Sequence, residues 1–415
     1  MEYQKAASLK SWVQVPNQSD FTIQNLPFGI FRNKRLTPRV GIAIGDKIVD
    51  LSALQEAGFF QDIKLEDDIF LQDSLNPFIA LGKSTTRKVR DRVQHLLNEE
   101  NSDLKDHQSR GKIMVGLKEA EMMKPIKIGD CIAFTSPAEQ LLFKDKAESH
   151  LLSQQLVPLE SQRKVSTIVP TGVSIFRPKG PVRTPTSASL EFASTRQLDF
   201  ELELAYVVGK SSRMGEGISA SEGEEFIFGL ILFNDWTARD IEVEGKAASS
   251  PLLSKNFASS ISPWVVTLDA LEPFRIASSG HSQELLPYLL NEGENGFDIH
   301  LEASIKSEKG AENAVCHTNY RYATWTAPQM LAQQTVNGSN VEIGDLLATG
   351  AFSNPLEGQY SSLSELYNHA SEFSGGGIAG EFIKDGDTVV IKGFCEKEGM
   401  RVGFGEIVTK ILPTK

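Results

Sequence analysis

Over residues 197–208 the chain reads QLDFELELAYVV, and inside it acidic and apolar residues alternate without a break: Asp199, Phe200, Glu201, Leu202, Glu203, Leu204. A period of two is the period of a β-strand, whose successive side chains point to opposite faces. On a strand, Asp199, Glu201 and Glu203 therefore share one face and the apolar residues share the other. Three like charges on one face repel each other unless a cation stands among them. A hard divalent ion such as Mg2+ or Ca2+ answers that need, because it prefers carboxylate oxygen. Read alone, the pattern also suits a solvent-facing strand whose acidic residues are coincidental.

Strand-like runs recur at short spacing after this one: residues 226–235 (FIFGLILFND), 262–268, 297–305, 345–349, 388–394 and 402–408. Turn residues separate them, which predicts a large β-rich body. Ahead of it, residues 40–51 (VGIAIGDKIVDL) read as a hairpin turning at Gly45–Asp46. Residues 77–97 place Ile79, Leu81, Val89, Val93, Leu96 and Leu97 near a helical period. Two more segments, 137–156 and 324–335, have helix-forming composition, and Gly375–Gly376–Gly377 marks a loop. The expected division is a small β domain with attached helices over 1–123 and a larger β domain over 124–415.

Lys and Arg total 42 against 54 Asp and Glu, a net charge of −12. That balance excludes a general nucleic-acid binder, which needs a basic face. No apolar run approaches the length of a membrane helix, and the first residues carry no secretory signal pattern. Cys131, Cys316 and Cys395 form no CxxC pair, so neither a disulfide framework nor a zinc site is expected. A reduced, cytoplasmic enzyme follows as the default.

Several further residues could carry chemistry. Asp235 ends an apolar run, in the stretch Asn234-Asp235-Trp236-Thr237-Ala238-Arg239, and strand ends are where loops assemble sites. Arg239 offers a planar fork of donors for an anionic oxygen. Lys255 stands among apolar neighbours in LLSKNF, and Glu365 lies in SSLSELYNH. Each, taken singly, also reads as an ordinary surface charge. No HExxH, Walker A, G-x-S-x-G or dinucleotide fingerprint is present.

Taken together, SDFTIQNLPFGIF, PRVGIAIGDKIVDL, LDFELELAYVVG, FGLILFNDWTARDI, SPWVVTLDALEPF, VNGSNVEIGDLLATG and RVGFGEIVTKILP resemble the fumarylacetoacetase (fumarylacetoacetate hydrolase) family over nearly the whole chain. The resemblance implies an N-terminal SH3-like barrel and a C-terminal β-sandwich roll. It also implies a homodimer and metal-dependent hydrolysis of a carbon–carbon bond between carbonyls, with a β-dicarbonyl substrate and Mg2+ or Ca2+ (or Mn2+) as the ion. By the same resemblance Glu201, Glu203 and Asp235 match metal ligands. Lys255 and Arg239 match residues beside the site, and Glu365 matches the glutamate that orients a catalytic histidine.

The departures are as specific. The family's D-F-Y-S-S-x-x-H run corresponds to Ala133-Phe134-Thr135-Ser136-Pro137-Ala138-Glu139-Gln140. The resemblance thus puts Ala133 at a metal-ligand position and Gln140 at the catalytic histidine, and a glutamine takes no proton at neutral pH. Glu242 replaces a glutamine near the oxyanion site, Lys246 a tyrosine, and Ala351 a threonine. A substrate-binding G-Y-H-G-R segment has only Glu160-Ser161-Gln162-Arg163-Lys164 in its place. Candidate bases for hydrolysis are Glu139, Glu148, His150 and Glu365. Three functions follow as expectations: a hydrolase with a relocated base, a repurposed catalyst that uses metal-enolate stabilisation without hydrolysis, and an inactive homologue.

Overall fold

All nine residues of the strand Ile227–Asp235 are buried, and the reason lies in where alternate side chains go. Leu230 and Leu232 enter one hydrophobic cluster, and Ile231 and Phe233 enter another. The neighbouring strand Leu202–Val208 divides in the same way, with Leu204 and Tyr206 in the first cluster and Ala205 and Val207 in the second. A sheet covered on both faces reads as a continuous apolar run, and this one does.

The structure is a computed structural model that describes residues 8–135, 157–183, 190–241, 252–278, 284–308, 310–374 and 380–415. Among the described residues the protein is mainly β. Its larger sheet has 13 strands, in the order Met114–Gly116, Lys47–Asp50, Arg39–Ile44, Phe28–Arg32, Trp264–Thr267, Ile227–Asp235, Leu202–Val208, Leu346–Ala348, Cys131–Thr135 and Leu159–Gln162, with Ser259–Ile261, Ile168–Pro170 and Glu121–Met122 off this path. A second sheet of five strands runs Glu312–Asn319, His300–Lys306, Thr388–Lys397, Met400–Leu412 and Ile175–Phe176. The first cluster lies between the sheets, where Leu230 and Leu232 share a core with Leu301, Ala303, Ile391, Val402 and Phe404. The second covers the other face with Phe28, Val40, Ile42, Val89, Val93 and Leu97.

The hairpin forms as the sequence predicts. Gly45 turns it at φ 56°, and Ile44 faces Lys47. The expected long helix over 77–97 is two pieces, Asn76–Ile79 and Lys83–Leu97. Gly82 parts them at φ 82°, a backbone that glycine adopts without strain. No sheet among the described residues closes into a barrel. The N-terminal strands instead join the larger sheet where Phe28 pairs with Val265 and Gly29 with Trp264. Among the described residues no helix is long and apolar enough to cross a membrane. The three cysteines are buried and unbridged. Residues 137–156 and Gly375–Gly376–Gly377 lie outside the described residues, whereas 324–335 contains the helix Ala327–Thr335.

Candidate active site

The alternating acidic run is one ladder with a break in it. Leu202 pairs with Asn234, and Glu203 with Phe233. Beyond Phe200 and Glu201 the same register resumes, with Asp199 opposite Thr237 and Leu198 opposite Ala238. Glu201 therefore falls opposite Asp235, and Glu203 lies two residues along the same face, within reach of a diagonal neighbour. One carboxylate oxygen from each of Glu201, Glu203 and Asp235 lies within 4.8 Å of the other two, and all three residues are buried. The expectation of a solvent-facing strand fails here, since both faces of this segment are covered.

Buried carboxylates need partners, and the sequence supplies them from separate segments. Lys255 ends the short helix Leu252–Lys255 and is 2% exposed. Its Nζ donates to Glu201 Oε2 at 2.5 Å and lies 3.2 Å from Asp235 Oδ2. Arg239 Nη1 is 2.8 Å from Glu201 Oε1, and the Thr237 hydroxyl donates to the same oxygen at 3.0 Å. The Gly350 N–H donates to Glu203 Oε2 at 3.0 Å. Ser259, the strand partner of Asp235, donates to its Oδ1 at 3.2 Å. Burial alone would raise the Glu201 carboxyl, but Lys255, Arg239 and Arg163 outweigh it and pull the pKa down to about 2.

Two residues of this cluster take parts that the sequence does not assign: it places Arg163 only within the segment 160–164, and Asp199 as one of three acids on a cation-holding face, whereas the convergent group is Glu201, Glu203 and Asp235. Arg163 is 5% exposed. Its Nε and Nη2 both stand 2.9 Å from Asp235 Oδ2. Asp199, the first acid of the run, turns to a different task. Its carboxylate accepts from Arg239 Nε at 3.0 Å and from the N–H groups of Leu363 and Ser364 at 3.0 Å each. Those N–H groups open the helix Leu363–Ser374, whose first turn has no intrahelical acceptors of its own. Burial pushes the Asp199 carboxyl up, with Arg239 pulling against it. A local cue existed for Asp199, the alternation itself; for Arg163 there was none.

Glu365 sits in the first turn of that helix. Its Oε2 accepts from the Ser353 hydroxyl at 2.7 Å, the Ser361 N–H at 3.1 Å and the Ser362 hydroxyl at 3.3 Å. The structure thus brings Glu201, Glu203, Asp235, Lys255 and Arg239 into one cluster and ties Glu365 to it through Asp199. Ala133 is buried in the strand Cys131–Thr135 and offers no oxygen. Gln140 and Glu242, together with Glu139, Lys246, Glu148 and His150, lie outside the described residues.

The donor set is all carboxylate and converges from two neighbouring strand segments. Among the described residues, four buried carboxylates (Asp199, Glu201, Glu203, Asp235) meet three cations (Arg163, Arg239, Lys255). The hard oxygens of the convergent triad fit a divalent ion.

Comparison with known proteins agrees with the resemblance read from the motifs. Residues 24–125 match the family described as fumarylacetoacetase N-terminal, and residues 134–412 match fumarylacetoacetate (FAA) hydrolase C-terminal. The chain is 37% identical to the fumarylacetoacetase of Caenorhabditis elegans, over 98% of this chain and 99% of that one. It is 39% identical to the Dictyostelium discoideum fumarylacetoacetase, over 98% of each, and 36% identical to the human one, over 97% and 99%. The solved maleylpyruvate hydrolase from Sphingobium sp. SYK-6, in complex with manganese (II) ion and pyruvate, has a TM-score of 0.49 at 14% identity, over 94% of this chain and 100% of that one. The chain belongs to the fumarylacetoacetase family, and it is a hydrolase of carbon–carbon bonds in ketonic substrates.

Proposed function

We propose that the protein hydrolyses the carbon–carbon bond between two carbonyls of a 1,3-dicarbonyl compound, with fumarylacetoacetate as the first substrate to test. The observation that carries this reading is the buried cluster in which Lys255 and Arg239 meet Glu201 and Asp235. A carbonyl oxygen placed beside these cations gains stabilisation as negative charge develops on it. Water adds to that carbonyl carbon. The carbon–carbon bond then breaks, its electron pair leaves as the enolate of the second carbonyl, and Lys255 delivers the proton that quenches the carbanion. Among the described residues Glu365 is the candidate to accept the proton of water; Glu139, Glu148 and His150 complete the candidates. Arg239 orients the cluster by holding Asp199 and Glu201 together.

Glu201, Glu203 and Asp235 would hold a hard divalent ion, Mg2+ or Ca2+, with Mn2+ as a further choice. The chemistry such an ion supplies when bound is polarisation of a carbonyl oxygen. A cytoplasmic homodimer, with residues 1–123 as an SH3-like domain and 124–415 as the catalytic domain, belongs to the same reading. The relatives give no support to the two other expectations, enolate chemistry without hydrolysis and an inactive homologue.

The test is an assay of the purified protein on fumarylacetoacetate, following loss of the diketone absorbance. Turnover that disappears in Lys255→Met, with the fold intact by circular dichroism, supports the proposal. No turnover in the wild type with Mg2+, Ca2+ or Mn2+ supplied sinks it. Alanine at Glu139, Glu148, His150 and Glu365 in turn identifies the base.

A further inference from the structure

The Arg163 guanidinium holds Asp235 with two nitrogens on a single carboxylate oxygen. The strand Leu159–Gln162 lies antiparallel to Cys131–Thr135, with Ser161 opposite Ala133. The Arg163 N–H extends this ladder by donating to the Cys131 carbonyl at 2.8 Å. The backbone is therefore anchored beside Ala133, whose methyl takes little room. The Arg163 side chain is buried with its Nη1 on the Ser161 hydroxyl at 2.6 Å and its Nε and Nη2 on Asp235 Oδ2 at 2.9 Å. Lys255 Nζ stands 3.2 Å from the same oxygen, and Ser259 donates to the other. A divalent ion that takes Asp235 as a ligand meets a fixed positive charge on the oxygen it needs, and like charges on one buried oxygen repel strongly.

We propose that Arg163 is a built-in competitor of the divalent ion: its guanidinium must release Asp235 before an ion can be shared by Glu201, Glu203 and Asp235, so this residue sets the ion affinity of the site. The proposal rests on the reading that these three carboxylates hold an ion. Two consequences separate it from a merely structural role. Removing the arginine charge makes ion binding tighter rather than weaker. It also makes the fold depend on the ion, because the ion then neutralises carboxylates that Arg163 neutralised before.

The experiment uses the full-length protein, stripped with EDTA and titrated with MnCl2, with bound Mn2+ measured by calorimetry and by the electron paramagnetic resonance of the free ion. Arg163→Gln and Arg163→Gly are compared with the wild type. The expected result is a Kd for Mn2+ at least about tenfold lower in both variants, and a melting temperature that climbs more steeply with Mn2+ than the wild type's. A variant that folds only when Mn2+ is supplied gives the same answer. Equal Kd values in wild type and variants overturn the competitor role and leave the ion reading standing. No Mn2+ binding by any of the three overturns both. Failure of both variants to fold with Mn2+ present overturns the competitor role.

Discussion

Asp199 and Arg239 face each other at 3.0 Å, with Nε and Nη2 of the guanidinium both on Asp199 Oδ2. Because Asp199 also receives the Leu363 and Ser364 N–H groups, one carboxylate ties the acidic triad to the helix that carries Glu365. Asp199→Asn keeps the shape and removes the charge from both contacts. Stripping one partner from a buried pair costs about 3–5 kcal/mol, so urea unfolding should show a loss of that order. Amide exchange at Leu363 and Ser364 should accelerate. Unchanged exchange at these two amides would show that Asp199 does not hold the helix.

The Glu201 carboxyl, at about 2, lies below its ordinary value of 4.5. Between those values the unfolded chain binds the proton that the folded protein refuses. The stabilisation is therefore present above pH 4.5 and fades as pH falls toward 2. Urea unfolding of wild type and Glu201→Gln, measured across this range, should give a stability gap that narrows with acidity. A gap that stays constant would mean that Glu201 is not held ionised by its cations.

Gly29 lies where the N-terminal strands join the rest of the larger sheet, and a Cβ there would stand 2.7 Å from the Trp264 ring and 2.8 Å from the Pro263 carbonyl. The ring is buried and the carbonyl is backbone, so neither yields cheaply. Gly29→Ala should cost about 1–3 kcal/mol, read as a lowered urea midpoint with an unchanged slope. A midpoint within error of the wild type would show that this junction has slack.

Ligand removal should act on the ion and spare the fold. Glu203→Ala takes away one of three convergent oxygens, so Mn2+ affinity should fall roughly tenfold or more, with far-UV circular dichroism unchanged. Undiminished Mn2+ binding would take Glu203 out of the ligand set.

How much of this was legible depends on distance along the chain. Glu201 and Glu203 announce themselves through a period-two alternation over six residues, and Asp235 through its place at the end of an apolar run; both signals are local. Arg163 meets Asp235 across 72 residues, and Asp199 meets Leu363 across 164. No periodicity carries such contacts, because they follow from which strands become neighbours. The pairing of Gly29 with Trp264, which merges the N-terminal strands with the larger sheet, is of the same kind. The break at Gly82 was different: the glycine stood in the sequence, but the apolar spacing on both sides hid it.

The strand that ends in Asp235 sends Phe233 into the core built with the N-terminal hairpin and helix, and Leu232 into the core between the sheets. The aspartate thus hangs from a beam supported at two independent walls. A lesion far from any reacting group, such as a cavity beneath Val40 or Val93, can shift that beam and silence the chemistry. Sequence variants in the first hundred residues therefore belong among the candidates for loss of activity, even though among the described residues none of them belongs to the acidic cluster.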